Sequence, residues 1–260
     1  MTTATTRNNN SMLATALSKV PEISIFFWVI KILATTVGET AADFLNTKLN
    51  LGLTWTTVIV GSALATTLYF QFKAAKYIPG IYWLAVVLIS IAGTLFTDNL
   101  VDHFGWSFKI CIALFGTGLA ATFILWHRSE KTLSIHSIFT ARREAFYWAA
   151  ILFTFALGTA VGDQVAEGFS LGYWKSAILF AVLIGGIAVA HFRFELAAVP
   201  AFWAAYILTR PLGASMGDYL SQPKDVGGLA LGTVGTSAIF LSVILGVVIY
   251  LTPLQKRQSR

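Results

Sequence analysis

Four aspartates, Asp43, Asp98, Asp163 and Asp218, stand in otherwise apolar stretches, each five residues after a glycine and fifteen after a tryptophan. The tryptophan follows another aromatic residue every time: Phe27-Trp28…Gly38…Asp43, Tyr82-Trp83…Gly93…Asp98, Tyr147-Trp148…Gly158…Asp163 and Phe202-Trp203…Gly213…Asp218. An ionisable group inside a membrane span is costly, so it pairs, faces a bundle interior or lines an ion path. Four carboxylates in register predict an oxygen-rich cation site. The alternative for each is a structural hydrogen bond or a protonated acid.

The residue after each glycine is Glu39, Thr94, Thr159 or Ala214. It lies four before the aspartate and so shares its helix face. Glu39 adds a fifth carboxylate, and Thr94 and Thr159 offer neutral oxygens. Thr36, seven before Asp43, lies on that face too. Threonines in helices also commonly bond back to their own backbone. Arg210 occurs only in the fourth copy, roughly 10 Å beyond Trp203 along the axis, and is followed by Pro211. At that depth it needs an anionic partner: Glu39 is the first candidate and Asp218 the second. Pro211 should kink its helix. Lys31, three residues past Trp28, is expected to snorkel to the surface.

At 1.5 Å per residue, fifteen residues put each aspartate roughly 22 Å from its tryptophan. The aromatic pairs are expected at one membrane interface, where amphipathic rings settle. The aspartates then lie near the opposite helix ends. A helix C-terminus carries partial negative charge, so an anion there calls for a cation, and free helix-end carbonyls could add ligands.

These spacings require long helices, and the composition supplies them. The chain has 260 residues, 56% hydrophobic and 12% charged, with mean hydropathy +0.72. Eight apolar runs are long enough to span a bilayer: 24–45, 53–72, 81–101, 107–126, 145–167, 174–193, 196–220 and 229–251. They leave no room for a separate soluble domain. The aspartates are 55, 65 and 55 residues apart, with the longer step at the polar linker 127–144.

The expected fold is therefore an all-α membrane protein. Eight transmembrane helices form four parallel two-helix repeats (24–72, 81–126, 145–193, 196–251), pseudo-symmetric about the membrane normal. Residues 1–23 and 252–260 are expected to be cytoplasmic tails, the first disordered. Glycines of the even-numbered helices, such as Gly61, Gly116, Gly118, Gly185, Gly186, Gly232 and Gly235, are expected to allow close helix packing.

Net charge is +6, and its distribution matters more than its size. With alternating loops, twelve basic residues fall on the side of both termini. Four (Lys48, Lys109, Lys175, Lys224) fall on the other. This is a positive-inside bias and reports topology, not nucleic-acid binding. The single cysteine, Cys111, excludes an internal disulfide. All four histidines lie in loops or at span ends, so oxygen ligands favour a hard cation over copper or zinc. No phosphate loop, His-Glu-x-x-His or Gly-x-Ser-x-Gly pattern is present, so neither enzymatic activity nor a cofactor is expected.

The fourfold repeat, with its opening Lys31-Ile-Leu-Ala-Thr-Thr-Val-Gly-Glu-Thr-Ala-Ala-Asp43, resembles a bacterial family built of four copies of the repeat called domain of unknown function 347. These are uncharacterised membrane-anchored proteins. The resemblance covers residues 25–251 and implies a bacterial inner-membrane protein with eight helices, but no substrate.

Two functions remain open. In the first, the protein is a transporter or channel for a hard cation, such as Mn²⁺ or Mg²⁺, or a carrier coupled to H⁺ or Na⁺. Asp43, Asp98, Asp163 and Asp218 bind the ion, Glu39 helps, and Arg210 with Pro211 forms a gating ion pair. In the second, the aspartates are structural and the protein is a non-transporting scaffold or sensor. The partners implied are the lipid bilayer and, in the first case, the cation. The oligomeric state is left open.

Overall fold

A computed structural model describes residues 18–258. Among these residues there is no strand, and eight long helices account for most of the chain. They are α1 (Ile25–Asp43), α2 (Gly52–Lys73), α3 (Pro79–Asp98), α4 (Phe108–Glu130), α5 (Ala141–Asp163), α6 (Tyr173–Phe194), α7 (Ala198–Ser221) and α8 (Thr233–Gln258). Local sequence fixes several ends. Ser24 and Thr140 cap α1 and α5 by accepting from Phe27 N and Arg143 N, satisfying donors that a helix start leaves orphaned. Pro79 occupies the first turn of α3, where its missing N–H costs nothing.

The odd-numbered helices form the interior. α1 packs on α3 and α7, and α5 packs on the same two, so the four close a circuit. The even-numbered helices lie outside. Each packs chiefly on the inner helix that follows it in sequence: α2 on α3, α4 on α5, α6 on α7, with α8 returning to α1. The outer faces are apolar and exposed, with Val58, Ile59, Ile110, Leu114, Val182, Val189, Leu245 and Ile249 among them. A surface of that size in contact with water would drive association, and lipid is the solvent that suits it.

Seven of the eight helices are long and apolar enough to cross a membrane, which makes this a multi-pass membrane protein. α7 is long, at 24 residues, but less apolar. It carries Thr209, Arg210, Ser215 and Asp218. Protein rather than lipid surrounds most of this helix, so its hydropathy is free to fall.

Two expectations about the chain ends change. Residues 1–17 lie outside the described chain, but Ser18, Lys19, Val20 and Pro21 are buried rather than part of a loose tail. Lys19 N donates to Ile138 O at 2.8 Å, and its ammonium meets Glu144 Oε2 at 2.7 Å and Phe72 O at 3.0 Å. Gln71 Nε2 donates to the other Glu144 oxygen at 3.0 Å. Buried Glu144 would otherwise be an unpaired charge, and that need holds the segment in place. At the other end, α8 continues to Gln258 instead of stopping at 251; residues 259–260 lie outside the described chain.

Candidate functional site

The repeated glycines determine how closely the inner helices approach. A Cβ on Gly93 would lie 2.8 Å from Phe155 Cβ and 3.0 Å from Ala156 N. On Gly158 it would lie 2.5 Å from Arg210 Cγ and 3.0 Å from Pro211 Cδ. Gly38 faces Ser90, and Gly213 faces Thr35 and Ile32. Thus α1 touches α3, α3 touches α5, α5 touches α7 and α7 touches α1, each time through the glycine of the repeat. The expectation about the outer helices fails: at Gly61, Gly185, Gly186, Gly232 and Gly235 a Cβ would meet nothing within 4 Å. These glycines look outward. Of that set, Gly118 packs tightly, against the Phe153 ring, and Gly116 reaches Leu157 at 3.9 Å.

At one end of the bundle the aromatic pairs close a second circuit. Phe27 meets Trp83 at 5.8 Å between ring centroids, Tyr82 meets Trp148 at 5.4 Å, Tyr147 meets Trp203 at 6.3 Å, and Phe202 meets Trp28 at 5.7 Å. Seven of these eight residues are buried. They are core residues, not the interfacial belt expected. The same circuit would have been hard to foresee, because it pairs each aromatic with the tryptophan of the next repeat.

Next along the axis is Lys31. It does not snorkel. It is fully buried, with Nζ 4.0 Å from the Phe155 ring centroid and 4.2 Å from that of Tyr206. A helix in the middle of the bundle gives the side chain no route to the surface.

Halfway along, all four inner helices converge on Arg210. Its Nη2 donates to Glu39 Oε2 at 2.8 Å, to Thr159 Oγ1 at 2.8 Å and to Thr94 Oγ1; Nη1 donates to Thr35 O at 3.2 Å. Thr94 also donates to Glu39 Oε2 at 3.3 Å. Three of the four post-glycine residues therefore surround the guanidinium; the fourth, Ala214, is apolar and buried. Glu39 is the partner of Arg210, as the sequence suggested. Thr94 and Thr159 also bond back to Ser90 O and Phe155 O, the common habit of helical threonines, alongside their contacts with the guanidinium. Thr36 is not brought to Arg210. It bonds to Ile32 O at 3.2 Å and packs against Gly217. α7 runs on through Pro211 to Ser221, with the ring packed against Gly158 and Gly162.

Beyond this layer lie the aspartates, all four half-buried. They interact electrostatically with each other and with Glu39. Asp98 feels Glu39 and Asp43, Asp163 feels Glu39 and Asp98, and Asp218 feels Glu39, Asp43 and Asp163. Arg210 attracts Asp98 and Asp163. Among the described residues no three carboxylate, imidazole or thiolate groups come together closely enough to chelate a metal ion.

The aspartates are not the last residues of their helical segments. After Asp43, Asp98 and Asp163 the helix widens into a π-type turn, Phe44–Lys48, Asn99–His103 and Gln164–Gly168. Leu49, Phe104 and Phe169 N–H groups bond to Phe44, Asn99 and Gln164 carbonyls, so carbonyls expected to be free are in part already used. Such π-type turns occur often at functional sites. In two of these turns, and at the end of α7, stand residues that the sequence reading missed. Four after three of the aspartates stand Asp102, Glu167 and Gln222. Asp102 and Glu167 extend the acidic field around Asp43, and Gln222 Nε2 donates to Asp43 Oδ2 at 3.0 Å. Extending the repeat register by one helical turn would have found them.

At the opposite end, outside the helices, burial holds the Tyr77 phenol well above its ordinary pKa. Tyr77 packs edge-on against Tyr82, which is hydrogen-bonded to Tyr147.

No curated protein and no solved structure was found to match the chain. A family profile described as Repeat of Unknown Function (DUF347) matches four times, at 26–77, 81–132, 146–196 and 201–257. Those four segments coincide with the helix pairs α1–α2, α3–α4, α5–α6 and α7–α8. The chain belongs to that family, as a protein made of four DUF347 repeats.

Proposed function

We propose that the protein moves a hard cation across a bacterial inner membrane, with all eight helices crossing and both termini cytoplasmic. The four repeats are then parallel and pseudo-symmetric about the membrane normal. The reading rests on one observation above the rest: six carboxylates (Asp43, Asp98, Asp102, Asp163, Glu167, Asp218) gather at one end of the inner helices, in the field of Glu39, which holds Arg210 in the layer beneath them.

The acidic end attracts cations from the non-cytoplasmic side. The half-buried aspartates hold the ion with water still between it and some carboxylates, in keeping with their spread. A strongly chelated, dehydrated metal fits less well than a hydrated or monovalent ion. Arg210 blocks the axis as long as Glu39 holds it. A cation that competes for Glu39 weakens that pair and lets the guanidinium shift, with Pro211 next to it in α7.

A second reading keeps the same bonds as purely structural. Gln222 to Asp43 and Arg210 to Glu39 both tie α7 to α1, as a non-transporting scaffold would require. Cation flux into proteoliposomes decides between them. Transport requires flux that falls when Asp98 or Asp163 becomes Asn. A scaffold gives no flux above empty vesicles.

A further inference from the structure

At the acidic end, the corner where α7, α8 and α1 meet differs in chemistry from its counterpart between α3, α4 and α5. The two corners correspond residue by residue. Trp106 N–H donates to Leu100 O, two residues after Asp98, and Leu231 N–H donates to Leu220 O, two after Asp218. That match sets Cys111 against Thr236 and Ile112 against Ser237. Counting from the aspartates sets Val101 against Ser221, Ala156 against Thr36 and Ala160 against Thr40. Around α4 these residues pack as one apolar cluster with Phe115. Around α8 every one of them carries a hydroxyl, and Thr233 stands in place of Phe108.

Serines and threonines in helices commonly satisfy themselves on their own backbone, and several here do. Thr36 donates to Ile32 O, Thr40 to Thr36 O and Thr236 to Gly232 O. Thr40 and Ser237 share a hydrogen bond of 2.6 Å. Ser221 and Thr233 are different. Each is at least nine-tenths buried, and neither hydroxyl has a hydrogen-bond partner among the described residues. Leaving a buried hydroxyl unbonded is costly, and in lipid no bulk water relieves it.

Both hydroxyls are aimed at α1. Ser221 continues the row of α7 that contains Gly213 and Gly217, which pack on Thr35 and on Thr36 and Glu39. The next residue, Gln222, reaches Asp43 Oδ2 at 3.0 Å. α8 runs antiparallel to α1, since Phe26 meets Tyr250 towards one end and Thr40 meets Ser237 towards the other. Thr233, one turn before Ser237 on the same face, is therefore level with Asp43.

We propose that this corner binds a dehydrated monovalent cation of the Na⁺ kind, held by the Ser221 and Thr233 hydroxyl oxygens and the Asp43 carboxylate. The Gln222 amide oxygen stands beside them as a further neutral ligand. The proposal deepens the transport reading, on which the ion's passage rests, by giving the ion a class and a place.

Charge selects the ion. Asp43 supplies the negative charge of the corner. Glu39 is engaged by Arg210, and Asp218 continues the row of Pro211 and Ala214, which packs on α5. One carboxylate balances a monovalent cation but leaves a divalent one with buried excess charge. Mg²⁺ also dehydrates reluctantly. Hydroxyl, amide and carboxylate oxygens suit a hard ion. Asp98 interacts with Asp43, and Asp163 with Asp98, so the field of these two strengthens the site from α3 and α5.

The test is thermal unfolding of the full-length protein in nanodiscs, with Na⁺ replaced by choline at constant ionic strength. Ser221→Ala and Thr233→Val each remove an unbonded hydroxyl, so in choline both variants should be at least as stable as the wild type. Na⁺ should raise the wild-type melting temperature. The Na⁺ concentration giving half of that shift should rise about tenfold in each variant, the scale of one lost contact to a charge. Binding of radioactive sodium to the purified protein should weaken by the same factor. No Na⁺-dependent shift in the wild type, or the same shift in the wild type and both variants, overturns the proposal. Variants that lose stability equally in Na⁺ and in choline also overturn it, because an ordered water then suffices at the corner. The transport reading fails separately, when Na⁺ binds through these hydroxyls and yet no cation flux exceeds that of empty vesicles.

Discussion

Arg210 and Glu39 are 171 residues apart in sequence and 2.8 Å apart in the fold, joining the fourth repeat to the first. Arg210 is fully buried and Glu39 nearly so. Removing one partner of such a pair leaves an uncompensated charge and costs about 3–5 kcal/mol, whereas replacing both by apolar groups of similar size is often close to neutral. Arg210→Met and Glu39→Leu should each lower the melting temperature sharply, and the double variant should recover much of the loss. Thermal unfolding in detergent checks this. Additive losses in the double variant would mean that the pair contributes nothing as a pair.

The repeat glycines predict a selective response to a single methyl group. Gly93→Ala forces Cβ into Phe155 and the backbone at Ala156. It should destabilise by about 1–3 kcal/mol, the usual range for overpacking. Gly158→Ala pushes directly on Arg210 and should also disturb the pair with Glu39. Gly61→Ala and Gly185→Ala meet nothing and should be neutral or slightly stabilising, because alanine is the better helix former. Unfolding of the four variants side by side distinguishes them.

Much of this arrangement was legible in the sequence, for a physical reason. Burying a charge in a membrane bundle is costly enough to leave few choices, so Arg210 pointed to an anion of its own or the neighbouring repeat, with Glu39 ahead of Asp218. The register of Gly38, Gly93, Gly158 and Gly213 was visible too, though not its purpose. Their role depends on which helix lies opposite, and sequence periodicity does not report neighbours. Lys31 was misread for the same reason: three residues from an aromatic pair is shallow only if that pair lies at the interface, and here the pairs are core. Asp102 and Glu167 were legible in the register, one turn beyond the aspartates, but the wide turns that carry them were not.

The buried start of the described chain gives a third prediction. Lys19, Gln71 and Glu144 form one network, and Lys19 N–H is bonded to Ile138 O. Glu144→Ala leaves the Lys19 ammonium without its anion. The segment should then loosen, with faster hydrogen exchange at Lys19 and Val20 than in the wild type. Unchanged exchange would show that backbone contacts alone hold it.

Orientation is open to direct labelling. Cys111 is buried, so an introduced cysteine reports alone. Ser107→Cys, at the acidic end, should react with an impermeant thiol reagent on intact cells. His136→Cys, at the aromatic end, should react only after the membrane is opened. Both positions are exposed. The reverse pattern would invert the proposed topology.

The account's central claim is that the acidic end binds a cation. The most direct test is thermal stability of the purified protein across a panel of Mg²⁺, Mn²⁺, Ca²⁺, Na⁺ and pH values, wild type beside Asp98→Asn and Asp163→Asn. A ligand that binds only the folded state at a hundred times its Kd stabilises by about 2.7 kcal/mol. The account predicts stabilisation by at least one of these cations or by protons, lost in both variants. Equal responses in wild type and variants, or no stabilisation by any ion, would contradict it.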